Sequence, residues 1–549
     1  MLRRRTGRGR PDVLDAQHGG ASAAGVDHDT ALLHGMGYAQ ELRRRMGGFS
    51  NFAVSFTIIS ILSGALTLYG YGMTTGGPID MVWGWVFVGI MTTIVGLGMA
   101  EVCSSYPTAG GLYYWSAKLA KNNGPAWSWF TGWFNLLGQV AVTAGIDFGF
   151  SLFFSAFMDL VWGISATRGH VVIVYAAVLV AHGILNTFGV RVVAFLSDVS
   201  VWWHILGVLV IAGTLTFIPS HHSSASFVFT GFVNQTGFKY GFYALIIGLL
   251  MAQYTFTGYD ASAHMSEETL NAAVSGPRGI VSSILVSLVA GWILILGVTF
   301  AIAGNYQSAI ASATGVPPAQ IFIDAIGRRG GEFLLLVAFV AQFYCGMASV
   351  TANSRMIYAF SRDGAVPGSR YWHRINPRTR TPTNSIWFAV VGAFILGVPY
   401  IWSPTAYGAI TSIATIGLYI AYVTPTLLRR LAGDRFVRGP WHLGKWSTVI
   451  GWTGVVWVGI IVILFMLPEV SPITAHSFNY APIAVAVVLV FAGGWWGISA
   501  RKWFKGPKVQ GSAEELAAIE RELEEVGTGA LIPEGLTPTT PSGPVVSGS

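Results

Sequence analysis

Twelve stretches of this chain, each about 20 residues or longer, run with almost no charge, and each is enough to cross ~30 Å of hydrocarbon. No other feature constrains the fold as much. Lipid offers nothing to hydrogen-bond a peptide group, so a spanning segment must satisfy its backbone internally. Runs of this length do so as helices. They fall at about 49–71, 79–102, 126–160, 170–190, 195–218, 240–265, 278–303, 331–361, 384–402, 406–430, 447–467 and 480–503. The sequence therefore predicts an all-α membrane protein with twelve transmembrane helices. Composition agrees: 10% of the 549 residues are charged, where soluble domains carry about 25%. The 68 glycines suit close helix contact in lipid, and 20 Trp and 20 Tyr can furnish interfacial belts. Cys103 and Cys345 lie in or beside apolar runs and read as free thiols rather than a disulfide or metal pair.

An even number of spans puts both ends of the chain on one side. Of the 32 Lys and Arg, 28 fall on that side, leaving Arg168, Lys239, Arg328 and Arg329 on the other. The positive-inside rule then makes both termini cytoplasmic, in a plasma or bacterial inner membrane. The net charge of +7 is explained by this bias, so no nucleic-acid partner is implied. The basic N-terminus has no apolar run beside it and reads as a cytoplasmic tail, not a signal peptide. Four regions follow: an N-terminal tail, 1–45; a ten-helix core, 46–430; a loop with helices 11 and 12, 431–503; and a C-terminal tail, 504–549. In the C-terminal tail, Ser512 and Glu515 form a capping-box pattern ahead of a short acidic helix, with disorder expected over the Pro/Thr/Ser/Gly-rich end. In the loop 304–330, Pro317 and Pro318 could open an amphipathic helix lying over the outer mouth, or merely on the surface. The basic 8–9 loop suits an anionic inner leaflet.

Two spans break their own pattern. The sixth carries Phe256, Thr257, Gly258, Tyr259 and Asp260 halfway along an apolar run, and the first carries Ser60, Ser63, Gly64 and Ala65 at similar depth. A charge at the bilayer centre costs roughly 2.5–3.5 kcal/mol on insertion scales, so Asp260 is expected to face protein, water or substrate. Each break frees backbone N–H and C=O groups that lipid leaves bare and a substrate can satisfy. Taken singly, Ser and Gly in such spans only ease helix packing. Matched interruptions five spans apart favour a binding site instead, as in transporters built from two inverted five-helix repeats.

Three further segments carry a family resemblance: M-A-E-V-C-S-S-Y-P-T-A-G-G-L-Y-Y-W from Met99, A-H-M-S-E-E-T after the sixth-span break, and S-R-M-I-Y-A-F-S-R-D-G-A-V-P after the eighth span. Together they resemble the amino acid–polyamine–organocation permeases, closest in look to the amino acid/choline subgroup with its GABA and choline permeases. The resemblance runs from about Arg44 to Trp503. It implies a LeuT-like fold: a five-plus-five inverted repeat, broken helices 1 and 6, two added helices, and alternating access to a site between helices 1, 3, 6 and 8. Ser60 to Ala65 match the family's unwound stretch of helix 1, whose amides hold a substrate carboxylate. That stretch is commonly glycine-rich; here only Gly64 is glycine. The departure leaves room for a substrate whose amine and carboxylate lie far apart, or for one with no carboxylate. Phe256 to Asp260 match the helix 6 break, where Asp260 could face an ammonium group. Glu101 belongs to a family segment that serves gating or folding.

His204 in span 5 resembles the position at which proton-coupled relatives place a lysine in lieu of sodium. A His can exchange a proton near neutrality, or be a neutral packing residue. Asp147 in span 3 could pair with an amine or a proton, or be a buried acid. His182 and Asp198 are expected to brace the 4–5 hairpin. Gln342, Tyr344, Ser349, Thr351 and Asn353 could line a path along span 8. No cofactor is expected. The coupling ion is a proton in preference to sodium, and no obligate protein partner is evident. The reading that results is a secondary active permease for amino acids, GABA or a related amine, with choline or polyamine as the alternative substrate class. A transporter-like sensor is a second alternative. The chain has no H-E-x-x-H, G-x-S-x-G or P-loop, so an enzyme is not expected.

Overall fold

The computed structural model describes residues 23–521 apart from 189, 303–305, 313, 404, 476 and 513. Among these, eleven helices are long and apolar enough to cross a membrane. They are α1 (Gly48–Thr67), α2 (Asp80–Ser105), α3 (Gly124–Trp162), α4 (Arg168–Phe188), α5 (Val192–Phe217), α7 (Ala272–Phe300), α8 (Pro317–Arg362), α9 (Thr383–Ile401), α10 (Thr405–Arg435), α11 (Gly444–Leu464) and α12 (Ala481–Trp503). In place of the sixth run, expected at about 240–265, stands the shorter apolar helix α6 (Gly241–Thr255). The expectation of twelve long spans thus meets eleven plus one interrupted element, because the chain leaves helical geometry just after Thr255.

The two interrupted helices lie side by side and antiparallel along their whole length. Tyr71 Oη donates to the Ile247 carbonyl at 3.1 Å, Ser55 Oγ to the Tyr259 carbonyl at 3.0 Å, and Asn51 Nδ2 to the Ser262 carbonyl at 2.9 Å. Their breaks therefore meet at one level. In α1 the helix stops at Ile59, Ser60 takes a left-handed conformation (φ 34°, ψ 81°), and helical bonding resumes at Gly64. In α6 the corresponding stretch is Phe256–Asp260, with Gly258 at φ 88°, after which Ala261–His264 makes one more turn. Both breaks use a backbone region that L side chains avoid, so glycine suits Gly258 and strain is accepted at Ser60.

Pro317 does begin a helix, but that helix runs into the eighth span across a single non-helical residue, Gly327 (φ 78°). Ala319, Ile321 and Phe322 are buried, and Pro317 packs closely on Gly70, just past the α1 break.

The N-terminal tail, which the sequence marks only as a tail, packs against the core. A helix, Ala23–Gly35, and the chain after it fold back onto the core, burying Leu33, Tyr38 and Leu42. Asp29 accepts the backbone N–H groups of Asn271 (2.6 Å) and Ala272 (3.2 Å) and so caps α7. The C-terminal tail joins the N-terminal one: Gln510 N–H donates to Gly37 O at 2.8 Å, and Ala39 N–H to Gln510 Oε1 at 2.7 Å. The capping box forms as the sequence suggests, with Ser512 N–H on Glu515 and Glu515 N–H on Ser512 Oγ. The expected disordered end lies outside the described residues.

Candidate functional site

The level where the two breaks meet is lined by α3, α5, α8 and α10, and every side chain the sequence singled out there is buried. Gly64 faces Thr255 so closely that a Cβ would sit 2.7 Å from its Oγ1. Ala65 is already back in helix and packs in the core. Phe256 lies on the Trp85 ring at 4.6 Å between centroids, and its carbonyl accepts Tyr419 Oη at 2.6 Å. Thr257 Oγ1 turns back to the Tyr254 carbonyl at 2.7 Å. Tyr259 packs on Tyr422 at 4.6 Å. Across the breaks, the N–H groups of Ile61, Leu62, Thr257, Tyr259 and Asp260 donate to no other described residue. A cluster of buried donors with no partner among the described residues suits a carboxylate, which supplies acceptors.

Asp260 is not left open. Gln139 Nε2 of α3 donates to its Oδ2 at 2.7 Å, and Tyr422 Oη of α10 donates to Oδ1 at 2.7 Å. His264, one turn further along, brings Nε2 to 3.2 Å from Oδ2. The sequence reading passed over all three partners. Gln139 and Tyr422 belong to helices distant in sequence. His264 did carry a signal, since residues four apart share a helix face.

His204 reaches the other break directly. Its Nε2 lies 2.7 Å from Ser60 Oγ, while Nδ1 donates to the Ser200 carbonyl at 2.7 Å. With Nδ1 carrying hydrogen, neutral His204 accepts the Ser60 hydroxyl at Nε2. A second proton would turn Nε2 into a donor and reverse that bond. His204 thus ties the left-handed residue of α1 to α5.

Asp147 stands apart, about 12 Å along α3 from Gln139 by helical rise. It pairs with His182 Nδ1 at 3.1 Å, both side chains fully buried, and His182 Nε2 has no partner among the described residues. The expected brace of the 4–5 hairpin by His182 is therefore replaced by a cross-link from α4 to α3, while Asp198 accepts Ser50 Oγ at 3.2 Å. Along α8, Gln342 reaches Thr67 (3.2 Å), Ser349 reaches Thr143 (2.8 Å) and Asn353 reaches Thr143 and the Gln139 carbonyl (both 3.2 Å), so these three face the centre. Thr351 points the other way, to Asn186, and Tyr344 packs by Trp203.

On the face that carries both tails, the site is covered by ion pairs. Arg362 holds Glu267 through both its terminal nitrogens (3.1 and 3.2 Å), with the Tyr38 ring 3.9 Å beneath its guanidinium. Asp363, next in sequence, accepts Tyr113 Oη (2.8 Å), Tyr38 Oη (3.1 Å) and Lys508 N–H (3.0 Å). Arg355 pairs with Glu268 at 2.8 Å. Glu101, at the same end of α2, sits between Arg429 (3.6 Å) and Arg430 (3.5 Å) and accepts Ser447 Oγ.

Residues 46–491 match the profile of the family described as amino acid permease. The chain belongs to the amino acid permease family. Among curated relatives, the permease is 45% identical to "Amino-acid permease BAT1" of Arabidopsis thaliana, over 88% of this chain and 96% of that one. It is 44% identical to the BAT1 homolog of Oryza sativa subsp. japonica, over 90% and 98%. It is 32% identical to the "GABA-specific permease" of Saccharomyces cerevisiae, over 92% and 89%. The relatives are transporters, and the many apolar helices of this permease make it a multi-pass membrane protein of the same kind.

Proposed function

We propose that this permease carries an amino acid, GABA or a related amine by alternating access, driven by a proton gradient. The frame for this is a LeuT-like one of twelve membrane-crossing elements, in which α1 and α6 open the two inverted halves and both tails face the cytoplasm of a cell that holds it in its plasma or inner membrane. Substrate sits at Ser60, Ser63, Gly64 and Ala65 on one side and Phe256, Thr257, Gly258, Tyr259 and Asp260 on the other. The observation that carries the reading is the pair of facing breaks with their bare N–H groups. A carboxylate satisfies such donors and choline does not, which favours an amino acid or GABA over choline or a polyamine. The name of the yeast relative makes GABA the first substrate to try. An ammonium group that approaches Asp260 takes the place of Tyr422 or Gln139 on that carboxylate.

His204 and Asp147 are the proposed ion-coupling groups. His204 touches the α1 break through Ser60, so a change in its protonation acts on the site itself. Proteoliposomes with an imposed pH gradient are expected to accumulate labelled GABA or another member of a panel of α-amino acids, GABA, choline, ethanolamine and polyamines. Absence of uptake across the panel overturns the permease reading. His204→Ala is expected to lose proton-driven accumulation; full accumulation with unchanged pH dependence removes His204 from the coupling.

A further inference from the structure

His264 holds a position that its hydrogen bonds make unusual. Its Nδ1 lies 2.9 Å from the Ala109 carbonyl, an acceptor only, so Nδ1 carries hydrogen. In a neutral ring Nε2 is then a lone pair with the Asn135 amide nitrogen 3.3 Å away, yet it also lies 3.2 Å from Asp260 Oδ2. Two acceptors at that distance in a buried site repel each other. A proton between them, on Asp260 or on the imidazole, turns this repulsion into a hydrogen bond. Asn135 fits either arrangement: its amide nitrogen lies 3.3 Å from Nε2, and its Oδ1 has no partner among the described residues, so the amide turned over accepts from an imidazolium.

We propose that Asp260 and His264 together form a proton-carrying pair of the transport cycle, loaded in the closed arrangement and emptied when the site opens. The proposal rests on the proton-driven reading above and adds to it a group that neither His204 nor Asp147 supplies. The charged and titratable groups facing the pair are few. Tyr422 and Tyr419 come from α10. Tyr259 and Glu267 lie on the pair's own segment, and Arg362 of α8 stands behind Glu267. α3 offers only the amides of Gln139 and Asn135, and α1 presents Asn51 and Ser55 to the following turn. Among the described residues no Lys or Arg pairs with Asp260, so no fixed cation makes up for a lost proton. Once the proton leaves, the Nε2 lone pair repels the carboxylate and pushes the ring away from it, straining its bond to Ala109. That residue's own N–H holds Glu267 Oε1 at 3.0 Å, the same oxygen that Arg362 grips on the tail-bearing face. The proton thus reports to the ion pair that covers the site.

The test uses the full-length permease in liposomes as wild type, His264→Asn and His264→Gln, probed with labelled GABA or the best substrate of the panel. Each is assayed for exchange at equal pH, for accumulation under a pH gradient, and for substrate-dependent proton entry with an internal pH dye. The expected result is that both variants keep exchange and lose accumulation, with proton entry falling to that of empty vesicles. Wild-type accumulation and proton entry persisting unchanged in both variants overturn the proposal while leaving the permease reading intact. Wild type that exchanges but ignores the pH gradient overturns proton coupling and the proposal together, and wild type without exchange overturns the permease reading as well. Should both His264 variants fail to fold, Asn135→Asp decides: a carboxylate beside Nε2 holds the proton longer and moves the pH profile of accumulation upward by about 1 to 3 units. An unmoved profile refutes the pair.

Discussion

Replacing Gly258 by Ala is the sharpest single perturbation of the site, because two independent penalties fall on one methyl group. The backbone there stands at φ 88°, and a Cβ would lie 2.1 Å from Ile58 Cγ2 and 3.0 Å from Ile58 Cβ. A left-handed conformation costs an L residue about 1–2 kcal/mol, and overpacking a buried site costs about 1–3 kcal/mol, so the sum is about 2–5 kcal/mol. The two parts can be partly separated. In an Ile58→Ala background the 2.1 Å clash with Cγ2 is gone, while the 3.0 Å approach to Cβ and the backbone conformation remain, so Gly258→Ala should cost less than in the wild-type background but still no less than about 1–2 kcal/mol. The difference between backgrounds is the part of the steric cost that comes from the atoms beyond Cβ, read as the interaction energy of a double-mutant cycle. Unfolding free energies of the four proteins, measured by SDS titration in mixed micelles, supply the cycle. Substrate exchange in liposomes should fall with Gly258→Ala and partly return in the double variant. A cost below about 1 kcal/mol for Gly258→Ala, or the same cost in both backgrounds, refutes the claim that the break is built on this close approach.

Other perturbations test the surrounding frame. Glu101→Ala leaves Arg429 and Arg430 facing each other without their shared carboxylate, so a loss of about 3–5 kcal/mol is expected in the same titration; a loss like that of a surface residue contradicts it. Asp29→Ala uncaps α7 and should cost about 0.5–2 kcal/mol, a value that a loosely attached tail would not produce. Glu469, in the loop after α11, is pushed by burial from its ordinary 4.5 to about 7, eased only by Ser412. A carboxylate raised in the folded state binds its proton more firmly there than in the unfolded chain. Stability should therefore decline as pH rises from about 4.5 to about 7 and level off above that, and Glu469→Gln should flatten this segment of the profile. An unchanged slope in the variant would assign the pH dependence elsewhere.

The breaks were readable in one dimension because an interruption of an apolar run is itself a sequence event: Ser63-Gly64 and Thr257-Gly258 stand out against leucine and isoleucine. What surrounds them was not. Asp260 meets Gln139 across 121 residues and Tyr422 across 162, and no local pattern connects them. His182 misled because its sequence neighbours suggested a hairpin role, whereas helix rotation turns it toward Asp147. The packing of the N-terminal tail was silent in the sequence for a different reason. Leu33, Tyr38 and Leu42 are too sparse to announce a buried face, and their partners lie on other parts of the chain. The eleven long helices were legible because length and hydropathy alone decide them. The sixth fell short for the same cause that made it conspicuous, its break.

The join between the two tails has a consequence for how the molecule is made. Ala39 and Gln510, which bond each other, are separated by 471 positions, and Lys508 supplies one of the donors on Asp363. A ribosome has therefore delivered every helix to the bilayer before the segment that completes this end emerges. Until then the ends of α6 and α8 lack part of their covering. A product that stops short of Lys508 and Gln510 therefore lacks these bonds at this one face.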